Sequence, residues 1–188
     1  MNTPLFHGQL VRLVAMNPEK DAELSAKWSQ DSEFLRFFDT APARPSLSRN
    51  GREWMEQAGS KENEFPFLVR TLADDHMIGY VGLEDVSWSN GDAFVGIALG
   101  DRNYWGKGFG TDAMQVILRY AFSELNLWRV SLNVFEYNPR AIRSYEKIGF
   151  TVEGRCRQYL NRDGQRWDLI YMGILKEEWE KRRNESQT

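Results

Sequence analysis

Between Tyr104 and Met114 the chain reads YWGKGFGTDAM, with glycines alternating at Gly106, Gly108 and Gly110 before an apolar spacing of helical period. Glycine lets a backbone approach a ligand without Cβ interference. A helix that starts at once adds unpaired amides and the positive end of its dipole. These residue types in this order make an anion site, with a pyrophosphate as the natural occupant. A P-loop is excluded, because Gly106-Lys107 is followed by Gly108 rather than Ser or Thr, and Gly100 lies one residue too far upstream. A dinucleotide fingerprint is excluded too, since Thr111 stands where its third glycine belongs. The bland alternative is a glycine turn that only joins a strand to a helix.

The elements around this loop follow from periodicity and punctuation. HGQLVRLVAM alternates as a first strand, and Asn17-Pro18 caps a helix running toward Trp28. A short helix holds Phe34, Leu35, Phe37 and Phe38, the loop APARPS follows, and another helix carries Trp54 and Met55 as far as Gly59. FPFLVRTL, MIGYVGLEDVSW and DAFVGIALG read as an antiparallel meander with a tight turn at Ser89–Gly91. After the glycine loop, Ala113, Val116, Ile117, Tyr120 and Ala121 share a helix face, and WRVSLNVF is a strand. Asn138-Pro139 opens a helix that Gly149 closes, and FTVEGRCRQYL with RWDLIYMGIL forms a hairpin about Asn161–Gly164. Residues 176–188 form a charged tail, read as a solvated, frayed end. The expected fold class is α/β (α+β), one domain over residues 1–188, with a mixed sheet.

Composition sets the outer limits. The 188 residues are enough for a sizeable core, and 41% hydrophobic content with mixed charge describes an ordinary globular chain. A net charge of -3 gives no reason to expect nucleic acid or an anionic membrane as partner, and it is compatible with a cationic substrate. MNTPLFHGQL lacks the basic start and apolar run of a signal peptide, and no apolar stretch is bilayer-length, so a cytoplasmic location is expected. Cys156 is the only cysteine, which rules out an intrachain disulfide and a thiolate metal cluster; it is read as a buried or strand residue. His7 and His76 are isolated in sequence and are read as surface histidines, so no metal site is expected.

Two motifs, in order and at matching distance, make the chain recognisable. Tyr104–Ala113 follows the pattern YWGKGxGTxA, and Asn138–Phe150 reads NPRAIRSYEKIGF. The sequence resembles the GNAT superfamily of acetyl-CoA-dependent N-acetyltransferases over almost its whole length, and within it the branch that includes ribosomal-protein N-terminal acetyltransferases. The resemblance implies a mostly antiparallel sheet with one splayed parallel strand pair, flanked by helices. It implies that the amides of Gly106, Lys107, Gly108, Phe109, Gly110 and Thr111 hold the coenzyme A pyrophosphate. Trp105 stands where that loop often begins with Arg or Gln, so one side-chain contact is lost. It further implies that Ile97, Ala98 and Leu99 line the pantetheine, which acts as an extra pseudo-strand, that Asn138 contacts the cofactor while capping its helix, and that Tyr145 protonates the departing sulfur. A homodimer is compatible with this branch.

Acetyl transfer from a thioester needs a neutral amine, stabilisation of the oxyanion and a proton for the thiolate. The oxyanion is assigned to a backbone amide of Ile97–Leu99. The positions where relatives place a base carry Phe94 and Asn133 here. Glu84, Asp85, Asp92 and Glu136 are the nearby carboxylates, read as surface or turn residues, with Asp92 as the tentative base. An absent base favours an amine that is already neutral. An α-amine titrates at about 7.7–8.0, against about 10.4 for a lysine side chain. The expected acceptor is therefore a protein or peptide N-terminus. The alternatives are a small amine such as a polyamine, an amino acid or an aminoglycoside, and a non-catalytic acyl-CoA sensor. The aromatic residues Trp28, Phe34, Phe37, Phe38, Trp88 and Trp105 are candidates for an acceptor cleft.

Overall fold

The computed structural model describes residues 4–185. A seven-stranded sheet runs in the order β1-β2-β3-β4-β5-β7-β6. Its strands are β1 (Val11–Val14), β2 (Phe65–Thr71), β3 (Met77–Ser87), β4 (Asp92–Leu99), β5 (Arg129–Phe135), β6 (Thr151–Arg162) and β7 (Gln165–Leu175). Every neighbouring pair is antiparallel except β4–β5, which is parallel only over Asp92–Phe94 against Arg129–Ser131. From Val95 and Leu132 onward the two strands part. The expected splayed pair is therefore present.

The helices are α1 (Pro18–Trp28), α2 (Ser32–Phe38), α3 (Ser48–Gln57), α4 (Phe109–Arg119), α5 (Pro139–Ile148) and α6 (Lys176–Glu185). Strand alternation separates the two larger cores, because successive side chains point to opposite faces. Leu83, Val95 and Leu132 join Ala113, Met114, Val116 and Ile117 of α4 in the first. Trp28, Phe34, Met55 and Leu68 form the second under α1–α3, and Phe135, Leu160 and Leu169 form a third, smaller cluster. Ile117 and Leu118 are fully buried, each contributing about 1.5–3 kcal/mol.

Three expectations are corrected. The first strand covers only Val11–Val14, because the Asp112 carboxylate captures the amides of Gln9 (3.0 Å), Leu10 (2.8 Å) and Val11 (3.0 Å). That capture bends the preceding residues onto α4 and ties them to the glycine loop. The charged tail is helical over Lys176–Glu185, and Trp179 docks on Phe122 at 5.3 Å between ring centroids. Cys156 is on a strand, as read, but exposed, because β6 is the outermost strand and leaves most of its residues uncovered on both faces.

Candidate active site

The parting of β4 and β5 opens a cleft of about 920 Å³ whose lining includes the glycine loop, the C-terminal half of β4 and the inner side of α5. Gly106 (φ 72°) and Gly108 (φ 89°) are left-handed, which is why residues with a Cβ are disfavoured there. The loop then enters α4, whose first closed amide is Asp112 N–H on the Gly108 carbonyl (2.9 Å). The amides of Phe109, Gly110 and Thr111 are left over by helix geometry. A diphosphate matches this cradle in charge and in donor type.

Along β4 the hydrogen-bond pattern sorts the three residues named from sequence. Gly100 N–H donates to the Ile78 carbonyl (2.9 Å), and antiparallel ladders alternate. Ala98, opposite Tyr80, therefore spends its backbone on β3, while Ile97 and Leu99 present theirs to the gap. The Leu99 carbonyl already accepts the Trp105 indole N–H (2.7 Å). Trp105 thus fixes the strand edge in place of the missing Arg or Gln. From α5 the Arg140 guanidinium stacks over the Trp105 ring at 4.2 Å.

Asn138 caps α5 by accepting Ala141 N–H (3.2 Å), and it also lines the cleft. Thr111 and Ser144 hydroxyls meet at 2.8 Å and join α4 to α5. One residue further, Tyr145 lines the cleft, and burial pushes its pKa up to about 12. That phenol keeps its proton across the physiological range. Arg143 and Lys147 line the same side, which makes this the basic wall.

The opposite wall is acidic and aromatic. Glu84 and Asp85 both line the cleft, although adjacent strand residues normally face opposite ways. The cause is a register break between Glu84 and Ser87, with Asp85 in the left-handed region at φ 51°. Bulges of this kind re-aim a side chain. Glu84 lies directly across from Phe94. Its pKa is raised by loss of water around the carboxyl, and further by Glu64 and Asp85. Glu84 is exposed, as the sequence suggests; that it faces the cleft depends on a bulge set by the register of two strands, which leaves no mark in either one.

Asp92 is not brought to this place. It pairs with Arg129 and Ser87 where β4 and β5 are still joined, four residues or about 13 Å of strand before Gly96. Glu136 accepts Asp168 N–H (3.1 Å) and pairs with Arg155 (3.1 Å), a structural use. His76 contacts Asp101 (3.2 Å). Among the described residues no group of three or more His, Cys, Asp or Glu is placed to hold a metal, and no helix is long and apolar enough to cross a membrane.

Helix α2 covers part of the cleft with Phe34, Phe37 and Phe38. Its N-terminus is held by Asp31, which caps Glu33 and Phe34 amides and pairs with Arg102 (2.6 Å). Arg102 holds the Asp31 carboxyl at a pKa of about 2. The Arg162 guanidinium donates to the carbonyls of Asp39 (3.0 Å), Thr40 (3.1 Å) and Ala41 (2.9 Å) just beyond its C-terminus.

The strand gap therefore ends at the glycine loop, with the protonated Tyr145 phenol lining the same cleft. Residues 11–151 match the acetyltransferase (GNAT) domain, and the chain belongs to this family of acetyl-CoA-dependent acyltransferases. It is 32% identical over 180 residues to the SPbeta prophage-derived uncharacterized N-acetyltransferase YokL of Bacillus subtilis, covering 96% of this chain and 98% of that one. It is 31% identical over 118 residues to the spermidine N(1)-acetyltransferase of Escherichia coli, covering 63% and 62% of the two chains. The fold matches a spermidine N-acetyltransferase from Vibrio cholerae, solved with CoA and spermine, at a TM-score of 0.78 and 24% identity over 90% of this chain and 97% of that one. The chain is thus an N-acetyltransferase using a coenzyme A thioester.

Proposed function

We propose that the chain acetylates a primary amine of a small di- or polyamine, with acetyl-CoA as donor. The observation that carries this reading is the pair Glu84 and Asp85, turned by one bulge into the acceptor side of the cleft. Two adjacent carboxylates beside aromatic rings suit a flexible polycation, and the relatives that act on spermidine are consistent with it. The expectation of an α-amine rested on an absent base. Glu84, directly across from Phe94, would supply a carboxylate there and so favours an acceptor that must first lose a proton.

In this reading the amides of Gly106, Lys107, Gly108, Phe109, Gly110 and Thr111 hold the diphosphate. The main chain of Ile97 and Leu99 flanks the pantetheine arm, with Asn138 alongside. Holding both reactants at one strand gap supplies much of the rate by proximity. The neutral amine attacks the thioester carbonyl, and the Ile97 amide donates to the oxyanion. Glu84, in place of Asp92, takes the proton released from nitrogen. The C–S bond breaks, and Tyr145 donates to the leaving thiolate. With a pKa of about 12, Tyr145 serves as acid and not as base.

A second reading, the α-amine of a protein N-terminus, is favoured by the likeness of both motifs to the ribosomal-protein branch. Free-thiol release with acetyl-CoA and a panel of diamines, polyamines, amino acids, aminoglycosides and N-terminal peptides separates the two. Turnover confined to amines carrying a second cation supports the proposal. Turnover confined to peptides replaces it with the second reading.

A further inference from the structure

We infer that a trough floored by Gly82 and Gly96 makes the acceptor site selective for an amine on an unbranched carbon. The inference rests on the reading of this side of the cleft as the acceptor site. Pro66, Gly82 and Gly96 are opposite one another in β2, β3 and β4, and all three line the cleft. They form a row across the sheet about 10 Å long that carries no side chain longer than a proline ring. The row points at the place where β5 has left β4, so it leads from the sheet surface to the strand gap.

The neighbouring rows on the same face carry longer side chains, except at Ala98. Glu84 and Phe94 bound one side, and Tyr80 and Ala98 the other. Trp54 stands against Tyr80 at 5.0 Å between centroids, which raises that wall. The two bounding rows are about 13 Å apart from Cα to Cα. A substituent on the carbon bearing the amine would meet Phe94 or Glu84 on one side and Tyr80 on the other.

Gly96 is where the trough is most open. A Cβ built there would meet only Glu84 Oε1, at 3.7 Å, an ordinary contact. Its φ is not left-handed, unlike that of Gly106 or Gly108. The backbone therefore does not require glycine at this position, and the fold would accept a larger residue. What glycine supplies is empty space over the floor, next to a carboxylate. The charged groups around this end are Glu84, Asp85 and Glu64, with Lys61 bound to Glu64 at 2.6 Å. The balance stays negative and suits the second cation of an extended acceptor.

The distinction has a chemical consequence. The terminal amine of a polyamine sits on a CH2 group, whereas an amino-acid or peptide α-amine sits on a carbon carrying a side chain and a carbonyl. The trough would pass the first and obstruct the second, apart from a glycine terminus.

The test compares α,ω-diamines with their α-methyl analogues and with alanine- and glycine-initiated peptides, using wild type, Gly96→Ala and Gly96→Val, with CoA affinity measured by calorimetry. The wild type should favour each unbranched amine over its α-methyl analogue by about 10- to 200-fold in kcat/KM, the usual weight of one methyl group in a fitted site. Gly96→Ala should lower kcat/KM for the unbranched amine, and Gly96→Val more so, with CoA affinity kept. Diamine turnover that ignores α-branching, or that is unchanged in Gly96→Ala, overturns the trough and leaves the proposed function standing. If Gly96→Val loses CoA affinity, Gly96→Ala decides by the same criterion. Turnover of alanine-initiated peptides and of no diamine overturns both.

Discussion

Replacing Glu84 by Gln removes one charge from the cleft while keeping the shape of the side chain. General-base assistance is typically worth about 100- to 10,000-fold, or about 2.7–5.4 kcal/mol at 1.36 kcal/mol per decade. Glu84→Gln should therefore lower kcat by that range at neutral pH, with CoA affinity unchanged. The pH profile gives a sharper signature. The amine must lose its proton, so log kcat/KM rises with unit slope up to the amine pKa, near 10.4 for an alkylamine. Wild type should add a second unit of slope below the pKa of Glu84, which lies above the ordinary value of 4.5. The variant should keep only the first. Stability should move the opposite way. A carboxyl whose pKa is raised on folding binds its proton more tightly in the folded state, so its ionised form opposes folding at neutral pH and is relieved as pH falls through the folded pKa. Glu84→Gln should thus melt at or above the wild-type temperature at pH 7. Thiol release from pH 5 to 9 and thermal unfolding of both proteins supply the data. A variant with wild-type kcat and an identical profile would refute the role, as would a loss of rate accompanied by a lower melting temperature.

Tyr145→Phe should keep CoA affinity and lower kcat by about 100-fold or more, and because the phenol holds its proton to about pH 12, wild type should show no alkaline loss of rate from this group below pH 10; calorimetry and thiol release check both. Gly108→Ala should cost about 1–2 kcal/mol in backbone strain at φ 89° and weaken CoA binding, since its Cβ would otherwise make only an ordinary 3.6 Å contact with Leu10; denaturant unfolding and CoA titration read the two effects. Asp112→Ala leaves the amides of Gln9, Leu10 and Val11 without their acceptor, a loss of about 1–3 kcal/mol for the buried one alone, measurable as a lower denaturant midpoint.

What the sequence made legible was local. Asn17 and Asn138 each precede a proline, and each caps the helix expected of it, accepting Lys20 and Ala141 amides at 3.2 Å. The glycine loop and the turn at Ser89–Gly91 are set by conformations that glycine alone adopts easily. What stayed hidden depends on segments meeting in space. Strict alternation along β3 would send Asp85 away from Glu84, and only the register of β3 against β4 creates the bulge that reverses it. Arg140 is a helix surface residue until α5 is laid beside Trp105. The Trp179 that anchors the charged tail meets Phe122, a residue 57 positions earlier in the chain.

The central claim is that acetyl donor and polycationic acceptor meet where β4 leaves β5, with Glu84 on the acceptor nitrogen. A crystal structure of the chain with CoA and a linear polyamine tests it most directly. The account predicts the diphosphate on the amides of Gly106–Thr111, the pantetheine arm against Ile97, and an acceptor amine within hydrogen-bond reach of Glu84 in the Gly82–Gly96 trough. A polyamine bound at Asp92, or a cleft that admits CoA and leaves Glu84 in contact with water alone, would contradict it.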